Sequence, residues 1–365
     1  MTGRILGIAG PTVTVDISGL RLYDMVRVGT AGLIGEVVRL ERGRAVVQVY
    51  EDTRGLAVNE PAAGMDAPLS VQLAPGLLGG MFDGLQRPLQ RLEELAGPFV
   101  AAGREVFPLD RERTWVFTPA GNAGDEVAAG GLLGHVAEGT FRHPVTAPRG
   151  GRIERLHAGK FRLADPIGRM ADGRDIFAIA PWPVRRPRPY RRKLSPSLPL
   201  VTGQRTIDFL FPVARGGTAI FPGGFGTGKT ILEQSIAKFA DVDIVVYAGC
   251  GERGNEMAEL LEEFVTLAAP WSGRPLMERT IVVVNTSNMP VAARGASISS
   301  AVSMAEYYRD MGCHVLLLAD SISRWAEALR EISSSLEEMP GEEGYPTYLS
   351  SRLAAFFERH FGLVG

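Results

Sequence analysis

The spacing of apolar residues in the first part of the chain is typical of β-strands. Polar and apolar positions alternate with a period of two over Thr12–Ile17. Two further strand-like runs, Leu33–Leu40 and Arg44–Tyr50, are separated by a turn at residues 41–43. Glycines recur at short spacing between these runs, as they do in small barrels and sandwiches. We therefore predict an N-terminal β-barrel over residues 1–68.

The middle of the chain changes its pattern twice. Residues 69–102 predict a connector, because Leu77–Ala96 is first glycine-rich and then helical in its leucine spacing. Residues 103–180 are β-like again, with glycine pairs at 130–131 and 150–151. This stretch predicts a second, inserted β domain, the bulge domain.

Residues 181–200 hold six prolines and a run of basic side chains. An extended, solvated linker and a polyanion-binding tail are both compatible with this composition. The restraint that proline imposes and the shortness of the run favour a linker.

Beyond residue 200, apolar runs alternate with helix-like periodicity. Such alternation predicts a parallel sheet with helices on both faces, so residues 201–365 are predicted to form an α/β domain. The predicted elements are strand Thr218–Phe221, helix Thr230–Phe239, strand Ile244–Ala248, helix Asn255–Phe264, strand Thr280–Val284, helix Val291–Asp310, strand His314–Ala319 and a helix that begins near Ser321.

A phosphate-binding loop is predicted at the start of this domain. The sequence matches G-x-x-x-x-G-K-[ST] at every fixed position, between a predicted strand and a predicted helix. Glycines let backbone N–H groups point inward at a phosphate, and the helix N-terminus adds positive potential there. A glycine-rich turn that binds nothing is the alternative, and the spacing and context together argue against it. The loop residues are Gly223, Gly224, Phe225, Gly226, Thr227, Gly228, Lys229 and Thr230.

Within this loop, Lys229 is expected to bridge the β- and γ-phosphates, and the Thr230 hydroxyl to bind Mg²⁺. Asp320 ends a buried strand on the same edge of the predicted sheet, so it is a second candidate ligand for Mg²⁺. Asp320 or the adjacent Ser321 could instead cap the next helix.

Three more charged residues follow strand Ile244–Ala248. Glu252 is placed to polarise an attacking water, although its spacing alone also fits an ordinary loop acid. Arg253 could contact the γ-phosphate or secure a neighbouring carboxylate. Glu256 is a candidate to support the water network.

Composition narrows the function classes. With 365 residues the chain is long enough for about two or three domains. Its 39 basic and 41 acidic side chains give a formal charge of −2, so the total charge does not indicate a nucleic-acid partner or an acidic membrane surface. Cys250 and Cys313 lie in or beside apolar runs and are expected to be buried thiols in a reducing cytoplasm.

The apolar runs are short. The stretch Met1–Gly10 is too weak for a signal peptide, and the longest runs are far below membrane-spanning length. Any link to a membrane is therefore expected to come through partner proteins.

Several strings of the sequence together resemble one protein family, the catalytic A (alpha) subunit of V-type and archaeal-type rotary ATPases. The resemblance covers nearly the whole chain. The strings are Gly-Gly-Phe-Gly-Thr-Gly-Lys-Thr at 223–230, Tyr-Ala-Gly-Cys-Gly-Glu-Arg-Gly-Asn-Glu-Met at 247–257, Ala-Asp-Ser-Ile-Ser-Arg-Trp-Ala-Glu-Ala-Leu-Arg-Glu at 319–331, Leu-Leu-Gly-Gly-Met-Phe-Asp-Gly-Leu-Gln-Arg-Pro-Leu at 77–89, Trp-Pro-Val-Arg-Arg-Pro-Arg-Pro-Tyr at 182–190 and Pro-Gly-Glu-Glu-Gly-Tyr-Pro-Thr-Tyr-Leu at 340–349.

The resemblance implies an enzyme of several parts. It implies a RecA-like nucleotide-binding domain that hydrolyses or makes ATP, with ATP or ADP and Mg²⁺ as ligands. It also implies B subunits alternating with this chain in a hexameric ring, central and peripheral stalk subunits, and coupling to H⁺ or Na⁺ transport through a membrane sector. Such a chain lies on the cytoplasmic face of the membrane, held there by its partners.

The same resemblance assigns roles by position. It implies that Lys229 and Thr230 hold phosphate and Mg²⁺, that Glu252 activates water, that Arg253 senses the γ-phosphate and that Asp320 is the Walker B acid. An arginine finger is expected from the neighbouring B subunit, and no residue of this chain takes that role.

Two loop residues depart from the family pattern. Family members often have Pro or Ala where Gly224 stands, so this loop is expected to be more flexible. Eukaryotic members have Cys where Thr227 stands, which excludes a redox switch at this position here.

Family members also continue well beyond residue 365, so we expect a C-terminally truncated nucleotide domain with exposed apolar edges and poor stability. The alternative function is therefore a nucleotide-binding but catalytically inactive remnant.

Other classes fit less well. Lys229 together with Glu252 argues against a non-catalytic ring subunit, and the few aromatics in residues 1–68 argue against a nucleic-acid motor. The insertion at 103–180 argues against a secretion ATPase.

Overall fold

Six antiparallel strands at the N-terminus close into a β-barrel, which confirms the predicted barrel. The computed structural model describes residues 1–97, 103, 106–224, 226–270, 272–359 and 363–364. The barrel strands are β1 (Thr2–Ala9), β2 (Thr12–Val15), β3 (Asp24–Val28), β4 (Leu33–Glu41), β5 (Arg44–Val49) and β6 (Pro61–Pro68). Their order around the barrel is β1-β2-β5-β4-β3-β6, and β6 pairs with β1 to close it. Valines such as Val13, Val26 and Val47 fill the interior.

The connector contributes strands to two other parts of the molecule. Its elements are β7 (Ser70–Leu73), β8 (Met81–Phe82) and helix α1 (Leu89–Ala96). The helix predicted within Leu77–Ala96 begins only after Pro88, because the glycine-rich half of that stretch packs tightly as strand and turn. A Cβ at Gly84 would collide with the backbone carbonyl of Ala293, so only glycine fits there.

The inserted domain is all β, as predicted. Its strands form two four-stranded antiparallel sheets, in the orders β12-β11-β9-β14 and β10-β13-β15-β16, while β17 pairs with β7 of the connector. The bounds are β9 (Thr114–Pro119), β10 (Glu126–Val127), β11 (Leu132–Glu138), β12 (Phe141–Thr146), β13 (Gly151–Leu156), β14 (Gly159–Arg162), β15 (Gly168–Met170), β16 (Asp175–Ile176) and β17 (Ala180–Pro183).

The sequence predicts an extended, solvated linker for the proline- and arginine-rich segment, and the structure shows two of its arginines paired with acidic residues of other parts of the chain. Arg185 donates two hydrogen bonds, of 3.0 and 2.5 Å, to the carboxylate of Glu36 in the barrel. Arg188 donates a 2.5 Å hydrogen bond to Asp310. The apolar face of Trp182 supports the Arg188 guanidinium. These charge-assisted bonds outweigh the tendency of a short, proline-restrained segment to stay in solvent.

Short elements lead from this segment into the α/β domain. They are β18 (Arg192–Lys193), β19 (Pro199–Leu200), helix α2 (Arg205–Leu210) and β20 (Val213–Ala214). β19 pairs with β20, and β18 pairs with the C-terminal strand β24 (Leu363–Val364).

The α/β domain has a parallel sheet with helices on both faces, as predicted. Its sheet order is β23-β21-β22-β8, so the connector supplies one edge strand. One face packs on α5, and the other face packs on α3 and α4. The bounds are α3 (Lys229–Phe239), β21 (Ile244–Glu252), α4 (Gly254–Thr266), β22 (Thr280–Thr286), α5 (Val291–Asp310), β23 (Val315–Asp320), α6 (Ile322–Ser335) and α7 (Leu349–Glu358), with 3-10 turns at Leu276–Arg279 and Glu342–Gly344.

The strand predicted at Thr218–Phe221 is absent, which corrects the sequence-based prediction. These residues have no regular secondary structure and join no described sheet, and Ile220 is 70% exposed. Pro222 follows directly and has no N–H with which to continue a ladder.

A buried chain of hydrogen bonds joins the inserted domain to α5. His143 is fully buried; its Nδ1 lies 2.8 Å from the carboxylate of Glu138, and its Nε2 lies 2.8 Å from the hydroxyl of Tyr307. Glu138 also accepts a 2.5 Å hydrogen bond from the backbone N–H of Gly76. The contact therefore ties the inserted domain to both the connector and the α/β domain.

Within the described part of the chain, no helix is both long and apolar enough to cross a bilayer.

Candidate active site

The phosphate-binding loop curls between Pro222 and helix α3. Gly226 and Gly228 have φ angles of 74° and 86°, in the left-handed region that glycine adopts without a steric penalty. Gly228 is the N-cap of α3, and Lys229 is the first residue of the helix. Phe225, also predicted as a loop residue, lies outside the described residues.

The side chain of Lys229 is folded over the loop. Its Nζ donates hydrogen bonds of 2.6 and 2.8 Å to the backbone carbonyls of Gly223 and Gly224. The hydroxyl of Thr227 donates a 2.9 Å hydrogen bond to the same Gly224 carbonyl. An ammonium group has three donors, so one N–H of Lys229 has no partner among the described residues and can bind a phosphate oxygen.

Helix α3 and strand β23 bring Thr230 and Asp320 together. The Thr230 hydroxyl donates a 2.9 Å hydrogen bond to Oδ2 of Asp320. The Tyr247 hydroxyl donates a second, of 3.1 Å, to the same oxygen, and Asp320 is only 3% exposed. The Asp320 side chain is thus directed at helix α3, which follows the phosphate-binding loop, and does not cap helix α6. The N-cap residue of α6, Ser321, makes no side-chain capping bond.

The oxygen donors at this point suit Mg²⁺. The ion prefers hard oxygen ligands and takes one or two from the protein, keeping waters and substrate phosphates for the rest. A hydroxyl and a carboxylate in mutual contact, Thr230 and Asp320, match that requirement. In the described residues no three His, Cys, Asp or Glu side chains form a cage that would hold a metal by themselves.

Glu252 is the last residue of β21, so it lies at the carboxyl edge of the sheet, and a β-bulge at Gly251 precedes it. Gly251 has a φ of 77°, and a Cβ there would lie 2.9 Å from Cβ of Arg324, so only glycine fits. Burial raises the pKa of Glu252, and the charge of Asp320 raises it further, while a hydrogen bond from Ser321 opposes the shift. Glu252 and Asp320 end the neighbouring parallel strands β21 and β23, so both carboxylates lie at the same edge of the sheet.

Arg253 and Glu256 lie at the start of helix α4. The Arg253 guanidinium is 3.9 Å from the Glu256 carboxylate, and the Arg253 side chain is 55% exposed. The geometry fits the predicted role of Arg253 in securing a neighbouring carboxylate.

Two residues of this region were missed by sequence reasoning, Tyr247 and Glu233. Tyr247 lies opposite Leu318 in the ladder, two residues before the position that faces Asp320. Glu233 lies one helical turn after Lys229. Burial raises the pKa of Glu233 to about 8, with the charges of Asp320 and Glu252 adding to the effect and Lys229 opposing it. Helical spacing could have indicated Glu233, whereas Tyr247 depends on strand register.

Three family models match the chain in order. The "ATP synthase alpha/beta family, beta-barrel domain" matches residues 5–63, the "ATPsynthase alpha/beta subunit barrel-sandwich domain" matches 106–185, and the "ATP synthase alpha/beta family, nucleotide-binding domain" matches 203–364. The chain belongs to the ATP synthase alpha/beta family. The P-loop, Glu252 and Asp320 all lie inside the segment that matches the nucleotide-binding domain of the ATP synthase alpha/beta family.

Curated relatives within this ATP synthase family come from A-type and V-type enzymes. The chain is 54% identical to an A-type ATP synthase subunit of Methanospirillum hungatei, over 98% of this chain and 62% of that protein. It is 55% identical to the V-type ATP synthase alpha chain of Anaeromyxobacter dehalogenans, over 98% of this chain and 63% of that protein. The chain therefore spans a little under two thirds of the length of these relatives.

A solved structure shares the fold of this chain. The assembled ATPase EscN of the enteropathogenic E. coli type III secretion system matches with a TM-score of 0.66 at 21% identity, over 99% of this chain and 66% of that one. At that identity the match shows a shared fold.

Proposed function

We propose that this chain binds ATP and ADP with Mg²⁺ and supplies the catalytic residues of an A-type or V-type rotary ATP synthase. The observation that carries the proposal is the contact of Thr230 with Asp320, 2.9 Å apart at the head of the P-loop helix. It joins the phosphate loop to a buried carboxylate at the carboxyl edge of a parallel sheet, where such folds bind ligands.

The loop would hold the phosphates in two ways. Backbone N–H groups at the start of α3 and the positive end of that helix attract anionic oxygens. Lys229 adds a full positive charge, and one of its donors has no partner among the described residues.

Thr230 would bind Mg²⁺ through its hydroxyl, and Asp320 would bind it directly or through a water. The ion, when bound, neutralises charge on the β- and γ-phosphate oxygens. Tyr247 fixes the Asp320 carboxylate by its 3.1 Å hydrogen bond, so the ligand oxygen keeps its orientation.

Glu252 would orient and polarise the attacking water. Its carboxylate accepts a proton from that water while the water oxygen attacks the γ-phosphorus and the bond to the β,γ-bridging oxygen breaks. The products are ADP and phosphate, and synthesis is the same path in reverse. Arg253 would contact the γ-phosphate, and Glu256 would support the water.

The proposal extends to partners. We infer an alternating hexameric ring with homologous B subunits, one of which donates an arginine to the site, together with central and peripheral stalk subunits. The ring would lie on the cytoplasmic face of a membrane and drive or use H⁺ or Na⁺ movement through a separate sector. Nucleic acid has no role in this proposal.

The test is binding and turnover of Mg-ATP by this chain mixed with its B subunit, with Lys229→Ala as the control. Turnover that the substitution abolishes would support the proposal. Phosphate-dependent binding without turnover would support the alternative, a nucleotide-binding chain that is catalytically inactive. Absence of nucleotide binding would overturn both.

A further inference from the structure

Glu233 has a buried oxygen without a partner. Its Oε2 makes no hydrogen bond to any residue that the structure describes. Glu233 lies on α3 four residues after Lys229, and therefore on the same helix face. A buried carboxylate oxygen that has lost water and gained no donor is unfavourable, so a donor from outside the chain is needed when the group is charged.

The charges around Glu233 belong to the proposed nucleotide site. Asp320 on β23 and Glu252 at the end of β21 act on it with negative charge, and Lys229 acts with positive charge. The hydroxyl of Tyr247 faces the same region, and its pKa is raised by burial and then by the charges of Asp320 and Glu233. When Glu233 is ionised, three carboxylates and one ammonium leave this region net negative, so it favours a cation.

Glu233 is not needed as a direct ligand. Mg²⁺ dehydrates reluctantly and keeps several of its waters. Those waters are hydrogen-bond donors, and acceptors in the layer around them fix their orientation. An oxygen that is buried, without a donor and coupled to Asp320 is suited to be such an acceptor.

We propose that Glu233 holds Mg²⁺ at the nucleotide site through water, its Oε2 accepting a hydrogen bond from a water molecule on the ion. This inference rests on the nucleotide binding proposed above. It makes Glu233 a positioning residue, because the carboxylate orients the hydrated ion toward Thr230 and Asp320 and does not touch the phosphates.

The test measures the affinity of the chain for a fluorescent ADP analogue in Mg²⁺ and, separately, in EDTA. The dissociation constant in EDTA divided by the dissociation constant in Mg²⁺ is a ratio that reports how much Mg²⁺ strengthens binding. The measurement is made above pH 8, where Glu233 is ionised. Glu233→Gln keeps the size of the side chain but weakens the acceptor, so the ratio should fall by about tenfold, within the range for outer-layer partners of metals. Affinity in EDTA should stay constant or rise, because a negative charge is removed. Glu262→Gln, on the exposed side of α4, should keep the wild-type ratio.

Three other outcomes would overturn the inference or the proposed function. An unchanged ratio in Glu233→Gln would overturn the inference, as would an equal loss of affinity with and without Mg²⁺, which indicates a purely structural role. Wild-type chain that binds no nucleotide would overturn the proposed function itself, and the inference with it.

A second measurement applies if circular dichroism shows that Glu233→Gln does not fold. The ratio is then measured on wild-type chain at several pH values. It should rise with pH through about 8, where Glu233 ionises, because only the charged form is a strong acceptor. A ratio that stays flat there would overturn the inference.

Discussion

At the scale of single residues, Glu252 differs from a surface glutamate in its surroundings. It is half-buried and close to a second carboxylate, Asp320, and both effects raise its pKa above the ordinary 4.5. A carboxylate with a raised pKa is a better proton acceptor at neutral pH. This environment suits the proposed role in polarising water.

Glu252→Gln should lower Mg-ATP turnover by about 10²- to 10⁴-fold, because it removes a general base. Nucleotide affinity should stay near the wild-type value, since the phosphate ligands are untouched. Turnover with the B subunit and binding of a fluorescent nucleotide are the two measurements. Glu259→Gln, on the exposed side of α4, is the matched control, and an equal loss there would contradict the assignment.

The pH profile follows from the same residue. A raised pKa means that Glu252 takes up its proton at higher pH than an ordinary glutamate, so turnover should rise with pH through a value above 4.5. The residual turnover of Glu252→Gln should lack that acid limb. An acid limb that is unchanged in the variant would assign it to another group.

At the scale of elements, helix α5 connects the nucleotide sheet to the inserted domain. It packs against β21, β22 and β23 on one side. On another side its Tyr307 hydroxyl meets the buried His143 at 2.8 Å. The inserted domain is thus attached to a helix of the catalytic core by a polar contact.

Tyr307→Phe should weaken this attachment. The substitution leaves Nε2 of a fully buried His143 without its partner, which costs about 1–3 kcal/mol. The thermal midpoint of unfolding should fall accordingly. Tyr190→Phe is the control, because Tyr190 is 48% exposed. Equal midpoints for the two variants would show that the contact adds no stability.

Long, strongly patterned elements could be predicted from the sequence. Helix Val291–Asp310 is predicted with the observed bounds, and the strand predicted at His314–Ala319 is observed one residue later at each end, at Val315–Asp320. Residues 218–221 were predicted wrongly, because an apolar run shows propensity but not whether a neighbouring strand is available. Strand β8, at Met81–Phe82, is two residues long and carries no period at all.

The residues of the candidate site also fall into two groups, those that a sequence motif predicts and those that only tertiary packing brings together. Lys229, Thr230 and Asp320 follow from a motif whose spacing reflects local backbone geometry. Glu233 and Tyr247 acquire their roles only through packing: one is enclosed beside charges from two strands, and the other reaches Asp320 across the sheet. Helical spacing places Glu233 on the same face as Lys229, but the sequence contains no local signal for the burial of Glu233 or for the strand register that brings Tyr247 to Asp320.

At the scale of the whole molecule, buried ion pairs hold the parts together. Arg185 reaches from the proline-rich segment to Glu36 of the barrel, whose side chain is 3% exposed. Arg185→Ala should destabilise the chain by about 3–5 kcal/mol, because it leaves a buried charge unpaired. Denaturant unfolding is the measurement, with the exposed Arg191→Ala as control.

A double variant separates the charge from the packing. If the unpaired charge is the cause, combining Arg185→Gln with Glu36→Gln should recover part of the lost stability, since no ion then remains buried. A double variant that is less stable than Arg185→Ala would contradict that explanation.

The surface of the α/β domain carries exposed apolar side chains. Phe209 is 85% exposed and Phe211 is 72% exposed, next to Leu210 at 58%. Such a group is an association risk in the chain by itself. Phe209→Ser with Phe211→Ser should reduce self-association in light scattering, whereas Val58→Ser on the barrel, at a site 52% exposed, should not. Equal scattering of all three chains would exclude this surface as the cause.

Strand β8 also affects how the chain folds during its synthesis. Met81 pairs with Val282. During synthesis this edge strand therefore has no strand to pair with until about 200 further residues have been made. Contacts of such long range slow folding. A ribosome that has finished the barrel and the inserted domain still carries an unpaired strand, and a gene fragment cut to begin at residue 201 would encode a sheet without one of its edges.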